Sequence, residues 1–157
     1  MLPRRIVFAT DVNKETGAGH FRRLIEISKA LSGYPEKYFF GTVKIPWVKE
    51  MCDEVFIEVN SSVDYGTEDL VILDSYDEEF CLKVNLEFSN TKIIQIADRY
   101  TFLIPTSLII FMDLPFTFID PSIETRVIAH GIQYLPKRNL TKQSLVLTNQ
   151  AERVLIT

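Results

Sequence analysis

The stretch "RIVFATDVNKETGAGHFRRL", residues 5–24, decides the fold. Its first part, residues 5–10, is a continuous apolar run with β-branched and aromatic side chains, which is typical of a strand buried on both faces. A polar loop with Gly17 and Gly19 follows, and the apolar spacing from His20 to Leu31 predicts an amphipathic helix. A buried strand, a tight glycine turn and a helix indicate the first unit of a parallel α/β sheet.

The rest of the chain repeats this alternation of strand and helix. Further strands are predicted at residues 37–43, 54–59, 68–76, 92–98, 107–113 and 125–130, and further helices at 46–52 and 77–88. The pattern predicts an α/β fold with a Rossmann-like, doubly wound, mainly parallel sheet, forming one domain over residues 1–150.

Composition and charge exclude several classes of protein. The chain has 157 residues, 46% of them hydrophobic and 24% charged, as expected of one globular domain. Its net charge of −4 argues against a general nucleic-acid or membrane-surface role. No apolar run approaches the ~20 residues of a membrane span, and no signal peptide is visible, so we expect a cytoplasmic protein. The spacing of Cys52 and Cys81 predicts free thiols, and we expect neither metal nor cofactor.

The first turn of the predicted helix carries the wrong charge for its position. His20, Arg22 and Arg23 lie where the helix dipole favours anions, and each misplaced charge costs ~0.3–1 kcal/mol. Either the arginines point into solvent or an anion lies beside them. An imidazole at this point suits a general base, with a structural cap as the alternative.

Polar residues also mark the ends of four predicted strands. Asp11, Asp74, Asp98 and His130 each follow an apolar run, and doubly wound sheets bind ligands at the carboxyl ends of their strands. Helix capping is the alternative role for each of them. The segment "GAGHFR" is a poor dinucleotide fingerprint, because Arg22 replaces its third glycine, and it is not a P-loop.

The segment after the first strand resembles the nucleotide-sugar hydrolases of pseudaminic acid biosynthesis and their spore-coat polysaccharide relatives. Those proteins read approximately "VDAS…IGTGHVMR" there. The residues that match in register are Asp11, Gly17, Gly19, His20 and Arg23.

The resemblance continues along essentially the whole chain. "VILDSYD" is similar to the family's "DxY" strand end, with Asp74 and Tyr76, and "IQIADR" matches an acidic element at Asp98. "GIQYLPKR" resembles "G-P-x-Y-x-x-L-R" at Tyr134 and Arg138 but lacks its proline and leucine.

The family implies one half of a two-domain, GT-B-type fold with the active site between the halves. Its hydrolases cleave the bond between the anomeric carbon and the diphosphate of a UDP-amino sugar. By resemblance, His20 deprotonates a water molecule, and Asp11 or Asp98 orients the histidine or binds sugar hydroxyls. The glycine loop and Arg23 help to hold the substrate, as do the other matched residues, namely Asp74, Tyr76, Tyr134 and Arg138.

Residues 151–157 resemble the start of the family's second domain, without its glycine-rich loop. We therefore expect a truncated or missing second domain, or one supplied as a separate chain, and weak or no activity without it. Two readings stay open. In the first, the chain is part of a UDP-sugar hydrolase or glycosyltransferase. In the second, it is a non-catalytic sugar-nucleotide-binding or assembly module. Either reading is compatible with a homo-oligomer.

Overall fold

The structure, a computed structural model, describes residues 3–13, 18–33, 36–58, 65–98, 101–112 and 128–130. Along these residues the strands are β1 Ile6–Ala9, β2 Lys37–Phe40, β3 Ile57–Glu58, β4 Leu70–Leu73, β5 Lys92–Ala97, β6 Leu108–Phe111 and β7 Ile128–His130. The helices are α1 Gly19–Ala30, α2 Pro46–Val55 and α3 Glu78–Glu87. None of these helices has the length and apolar character needed to cross a membrane.

The strands form one sheet in the order β3-β2-β1-β4-β5-β6-β7, and every neighbouring pair is parallel. From β1 the chain proceeds outward to β2 and β3, then returns to the other side of β1 to build β4 and the remaining strands. The strand order therefore reverses between β1 and β4, and in doubly wound sheets ligands bind beyond the carboxyl ends of the strands at such a reversal. This confirms the predicted Rossmann-like, doubly wound α/β fold.

The two faces of the sheet are covered by different helices. Ile6 and Phe8 of β1 belong to an apolar cluster that contains the buried apolar residues of α1 and α2. Val7 and Ala9 point to the opposite face and belong to a second cluster with the buried residues of α3. All four side chains are at most 1% exposed, which explains why β1 is apolar at every position.

The main departure from the predicted boundaries is at α2 and β3. The helix runs to Val55 and takes in Glu54, both expected in a strand, so that β3 keeps two residues. Val55 explains this, because it packs against the same apolar cluster as Val48 and Cys52, and spacings of four and three residues follow the period of a helix. Tyr134, Arg138 and the predicted second-domain start at 151–157 lie outside the described residues.

The loops that leave β1 and β2 are tied together at the carboxyl edge. Gly41 has a φ of +148°, and a Cβ there would overlap the carbonyl oxygen of Thr10 and lie 2.9 Å from its carbonyl carbon. The next backbone N–H, of Thr42, donates to Oδ1 of Asp11 at 2.6 Å. A residue without a side chain is therefore required for this close approach.

Candidate functional site

A buried histidine and a buried aspartate meet at the carboxyl ends of β1 and β4, where the strand order reverses. His20 is the second residue of α1, and Asp74 comes directly after β4. The backbone N–H of Asp74 donates to the carbonyl of Ala9 at 3.0 Å, which fixes it against the end of β1. Nδ1 of His20 lies 2.6 Å from Oδ1 of Asp74, and the two residues are 6% and 1% exposed. The contact therefore lies where doubly wound sheets bind their ligands.

Arg23 binds both oxygens of the same carboxylate. Its Nε lies 2.5 Å from Oδ2 and its Nη2 lies 2.7 Å from Oδ1 of Asp74, while Nη1 contacts the sulfur of Met112 at 3.4 Å. Burial of the guanidinium lowers the pKa of Arg23, but the hydrogen bonds and charge of Asp74 outweigh this and leave the pKa above its ordinary value. The charged guanidinium of Arg23 thus holds the Asp74 carboxylate through both of its oxygens.

The charge problem at the start of α1 has two different solutions. For Arg23, the anion is Asp74, which belongs to the protein itself. Arg22 is exposed, and its guanidinium lies over the ring of Trp47 at 5.3 Å from the ring centroid. Both alternatives left open by the sequence are therefore present, one at each arginine.

The hydrogen-bond partners determine the tautomer of His20. An aspartate oxygen beside a guanidinium only accepts hydrogen bonds, so we assign a proton to Nδ1 of His20, which donates it to Asp74. Nη2 of Arg23 is 3.0 Å from Nδ1, but both of these nitrogens are donors and both bind Oδ1 of Asp74. The lone pair of the imidazole is then on Nε2, which neither Asp74 nor Arg23 uses. This is the nitrogen that can accept a proton.

Tyr76 covers one side of the imidazole. Its ring meets that of His20 edge to face, with centroids 4.3 Å apart, and the residue is 41% exposed. The phenol donates a hydrogen bond to Asp98, which follows β5. Burial, with the hydrogen bond to Asp98, raises the pKa of Tyr76 to about 12. The phenol therefore stays protonated at neutral pH and links the ends of β4 and β5.

The structure brings five of the sequence-predicted site residues together: His20, Arg23, Asp74, Tyr76 and Asp98. The resemblance implies that Asp11 or Asp98 orients the histidine or binds sugar hydroxyls, and the residue that contacts Nδ1 of His20 in the structure is Asp74. The physical reason is strand order, because β4 is the neighbour of β1 and carries Asp74 to the start of α1.

The structure gives fewer contacts for the other predicted residues. Asp11 binds the backbone of Thr42, on the β2 side of β1. Gly19 is the first residue of α1, and a Cβ there would meet nothing within 4 Å. Gly17 lies outside the described residues, and His130 is described only as part of β7.

Two contacts of the site were missed from the sequence. Met112, which follows β6, contacts Arg23, and Trp47, at the start of α2, contacts Arg22. An apolar residue after a strand carries no sign of such a role. Within the described residues, no three His, Cys, Asp or Glu side chains are grouped as a metal site.

No protein-family model, curated protein or solved structure matches this chain. The likeness to the nucleotide-sugar hydrolases thus depends on the sequence motifs alone.

Proposed function

We propose that the chain is the amino-terminal, Rossmann-like half of a nucleotide-sugar hydrolase or glycosyltransferase of surface polysaccharide biosynthesis, acting on a UDP-amino sugar. The observation that carries the proposal is the His20–Asp74 pair at the reversal of strand order, with Nε2 of the imidazole left as the basic nitrogen. The motif around His20 supplies the substrate class. Because UDP-sugars are made in the cytoplasm, the proposal includes a cytoplasmic location.

The proposed reaction is a displacement at the anomeric carbon. Nε2 of His20 takes a proton from water, or from a sugar hydroxyl in a transferase, while the oxygen forms a bond to that carbon. The bond between the carbon and the diphosphate oxygen breaks, and UDP leaves with the electron pair. The proton remains on His20, and the carboxylate of Asp74 stabilises the imidazolium at Nδ1.

The diphosphate needs a binding group other than Arg23, whose guanidinium is held by Asp74. In the proposal this group lies on a second domain, a separate chain or a second copy, with Tyr134 and Arg138 as further candidates from the resemblance. The described site is then one wall of the complete active site.

A second function, a non-catalytic sugar-nucleotide-binding or assembly module, is favoured by one observation. His20 is 6% exposed and shares Asp74 with Arg23, which is also the pattern of a structural ion-pair network. Such a module would bind a sugar nucleotide and leave it intact.

Release of UDP from a panel of UDP-amino sugars separates the two functions. The full chain is assayed alone and with the second domain of a family hydrolase supplied as a separate chain. Catalysis by His20 predicts that His20→Gln lowers kcat by about 10²–10⁴-fold. Arg22→Gln, in the same helical turn but exposed, is the matched control and should keep full activity. Binding without release would favour the module, and full activity of His20→Gln would remove His20 from the mechanism.

A further inference from the structure

We infer that Arg23 is a positioning residue, which fixes the Asp74 carboxylate so that His20 keeps its proton on Nδ1 and its lone pair on Nε2. The catalytic value of this tautomer rests on the proposed function, whereas the tautomer itself is measured without substrate. The inference replaces the substrate-holding role that the sequence resemblance gives to Arg23.

The first step is the geometry of the carboxylate. A terminal carboxylate rotates easily, and the bond from His20 restrains only Oδ1 of Asp74. Arg23 binds Oδ2 through Nε at 2.5 Å and Oδ1 through Nη2 at 2.7 Å. Two parallel hydrogen bonds from a planar guanidinium fix the plane of the carboxylate. Oδ1 is thereby held as an acceptor in front of Nδ1.

The second step is that Arg23 is itself held in place. It lies three residues after His20 in α1, so both side chains leave the same face of the helix. Its Nη1 contacts the sulfur of Met112, beyond the end of β6. The side chain is 21% exposed, so one part of it reaches solvent while Nε and Nη2 bind Asp74.

The third step is a comparison with lysine. A lysine at position 23 would retain the positive charge, but a single ammonium cannot bind both carboxylate oxygens in one plane. Substitution can therefore separate the positive charge of Arg23 from the paired hydrogen bonds of its planar guanidinium. A residue that only balances charge tolerates lysine, whereas a residue that orients Asp74 does not.

The test is the tautomer of His20 in the full chain, measured by long-range ¹H–¹⁵N NMR with ¹⁵N-labelled histidine. The chain has two histidines, so the spectrum contains two imidazole spin systems, and His130→Gln assigns them. In the wild type we expect His20 with Nδ1 protonated and Nε2 unprotonated. Arg23→Gln and Arg23→Lys should both convert His20 to a mixture that includes the Nε2–H form, while Arg22→Gln should leave the spectrum unchanged.

Chemical rescue gives a second readout that a merely structural residue would not produce. Because the Arg23 side chain reaches solvent, methylguanidinium added to Arg23→Ala should restore the Nδ1–H signal of His20. If Arg23→Gln does not fold, Arg23→Lys carries the comparison, with circular dichroism as the check on folding. An Nε2–H tautomer in the wild type, or an unchanged tautomer in a folded Arg23→Lys, would overturn the inference.

Kinetics separate this inference from the proposed function. With a UDP-sugar that the protein turns over, loss of positioning lowers kcat and leaves KM within about threefold, whereas loss of a diphosphate ligand raises KM tenfold or more. A tenfold rise in KM at unchanged kcat would overturn the positioning role. If no UDP-sugar is turned over even with the second domain supplied, but the NMR result holds, the proposed function fails and the role of Arg23 in setting the tautomer stands.

Discussion

The Asp74 carboxylate offers the sharpest single perturbation of the site. Asp74→Asn keeps the size of the side chain but removes its charge and replaces one acceptor oxygen with an NH₂ donor. The native carboxylate accepts hydrogen bonds from Nδ1 of His20 at 2.6 Å and from Nε and Nη2 of Arg23 at 2.5 and 2.7 Å. At least one of these three donors then faces another donor.

The expected loss of stability follows from burial. Breaking a buried ion pair by removing one partner costs about 3–5 kcal/mol. The lower end, about 3 kcal/mol, applies here because the Arg23 side chain is 21% exposed and can be hydrated. With a urea m-value of about 2 kcal/mol/M, the unfolding midpoint should fall by about 1.5 M.

A matched control lies at the opposite edge of the sheet. Asp69 precedes β4, is 2% exposed, and accepts hydrogen bonds from Nε and Nη2 of Arg5 at 2.9 and 2.7 Å and from the N–H of Gly66 at 3.0 Å. Asp69→Asn should therefore lower the urea midpoint by a similar amount.

Of the two variants, only Asp74→Asn should also lower UDP release, by about 10²–10⁴-fold, because Asp74 contacts His20, whereas Asp69 binds Arg5 and Gly66. UDP release is measured at a urea concentration below the unfolding midpoints of both variants, so that both proteins are folded. Equal losses of UDP release in the two variants would show that Asp74 acts only through the fold. A midpoint shift under about 0.3 M would refute the stability argument.

The remaining predictions concern backbone fit, pH and ligand binding. Gly41→Ala should lower the free energy of unfolding, measured in urea, by at least ~3 kcal/mol, because its Cβ would overlap the Thr10 carbonyl. Gly33 has open space around it, so Gly33→Ala should change the free energy of unfolding by less than ~1 kcal/mol. Equal effects of the two substitutions would contradict this. Burial raises the pKa of the Cys81 thiol from 9.0 to about 12, so its contribution to stability is present below pH 9 and lost as the pH rises towards 12. The free energy of unfolding should then fall more steeply from pH 9 to 12 in the wild type than in Cys81→Ala, and equal slopes would contradict the shift. Calorimetric titration of the full chain with UDP alone should give a Kd no tighter than ~1 mM, because the guanidinium of Arg23 already binds Asp74 and is not free to bind the diphosphate. A micromolar Kd would contradict that account.

Most of the fold could be predicted because its signals are local. The apolar run of β1 and the helical spacing of α1 are short-range patterns, and the structure has both elements within a residue or two of their predicted bounds. The boundary between α2 and β3 could not be read in the same way. Glu54 and Val55 fit either a strand or a helix by composition, and packing of the preceding helical face decides between them.

The hydrogen-bond partner of His20 could not be predicted, because it depends on strand order. Asp74 was recognisable as the end of a strand, but it is separated from His20 by 54 positions in the sequence. Only the adjacency of β1 and β4 makes it, rather than Asp11 or Asp98, the residue that binds Nδ1. Neighbouring strands in a parallel sheet are joined by long crossovers, so local patterns carry little information about which strands become neighbours.

Asp74 also explains how the first turn of α1 tolerates its charges. That turn contains no acidic residue, and Ala18 at the N-cap provides no side-chain hydrogen bond. A carboxylate from β4 supplies the missing negative charge next to the positive end of the helix, and at the same time it binds Arg23 and His20. One buried anion therefore satisfies the helix dipole, a guanidinium and an imidazole together. Without this carboxylate, the partly buried guanidinium of Arg23 would lose both of its hydrogen bonds to Asp74, and Nδ1 of His20 would lose its acceptor. Arg22 does not need it, because its side chain is exposed. The arrangement of His20 and Arg23 in "GHFRR" therefore depends on a fold that places β4 beside β1.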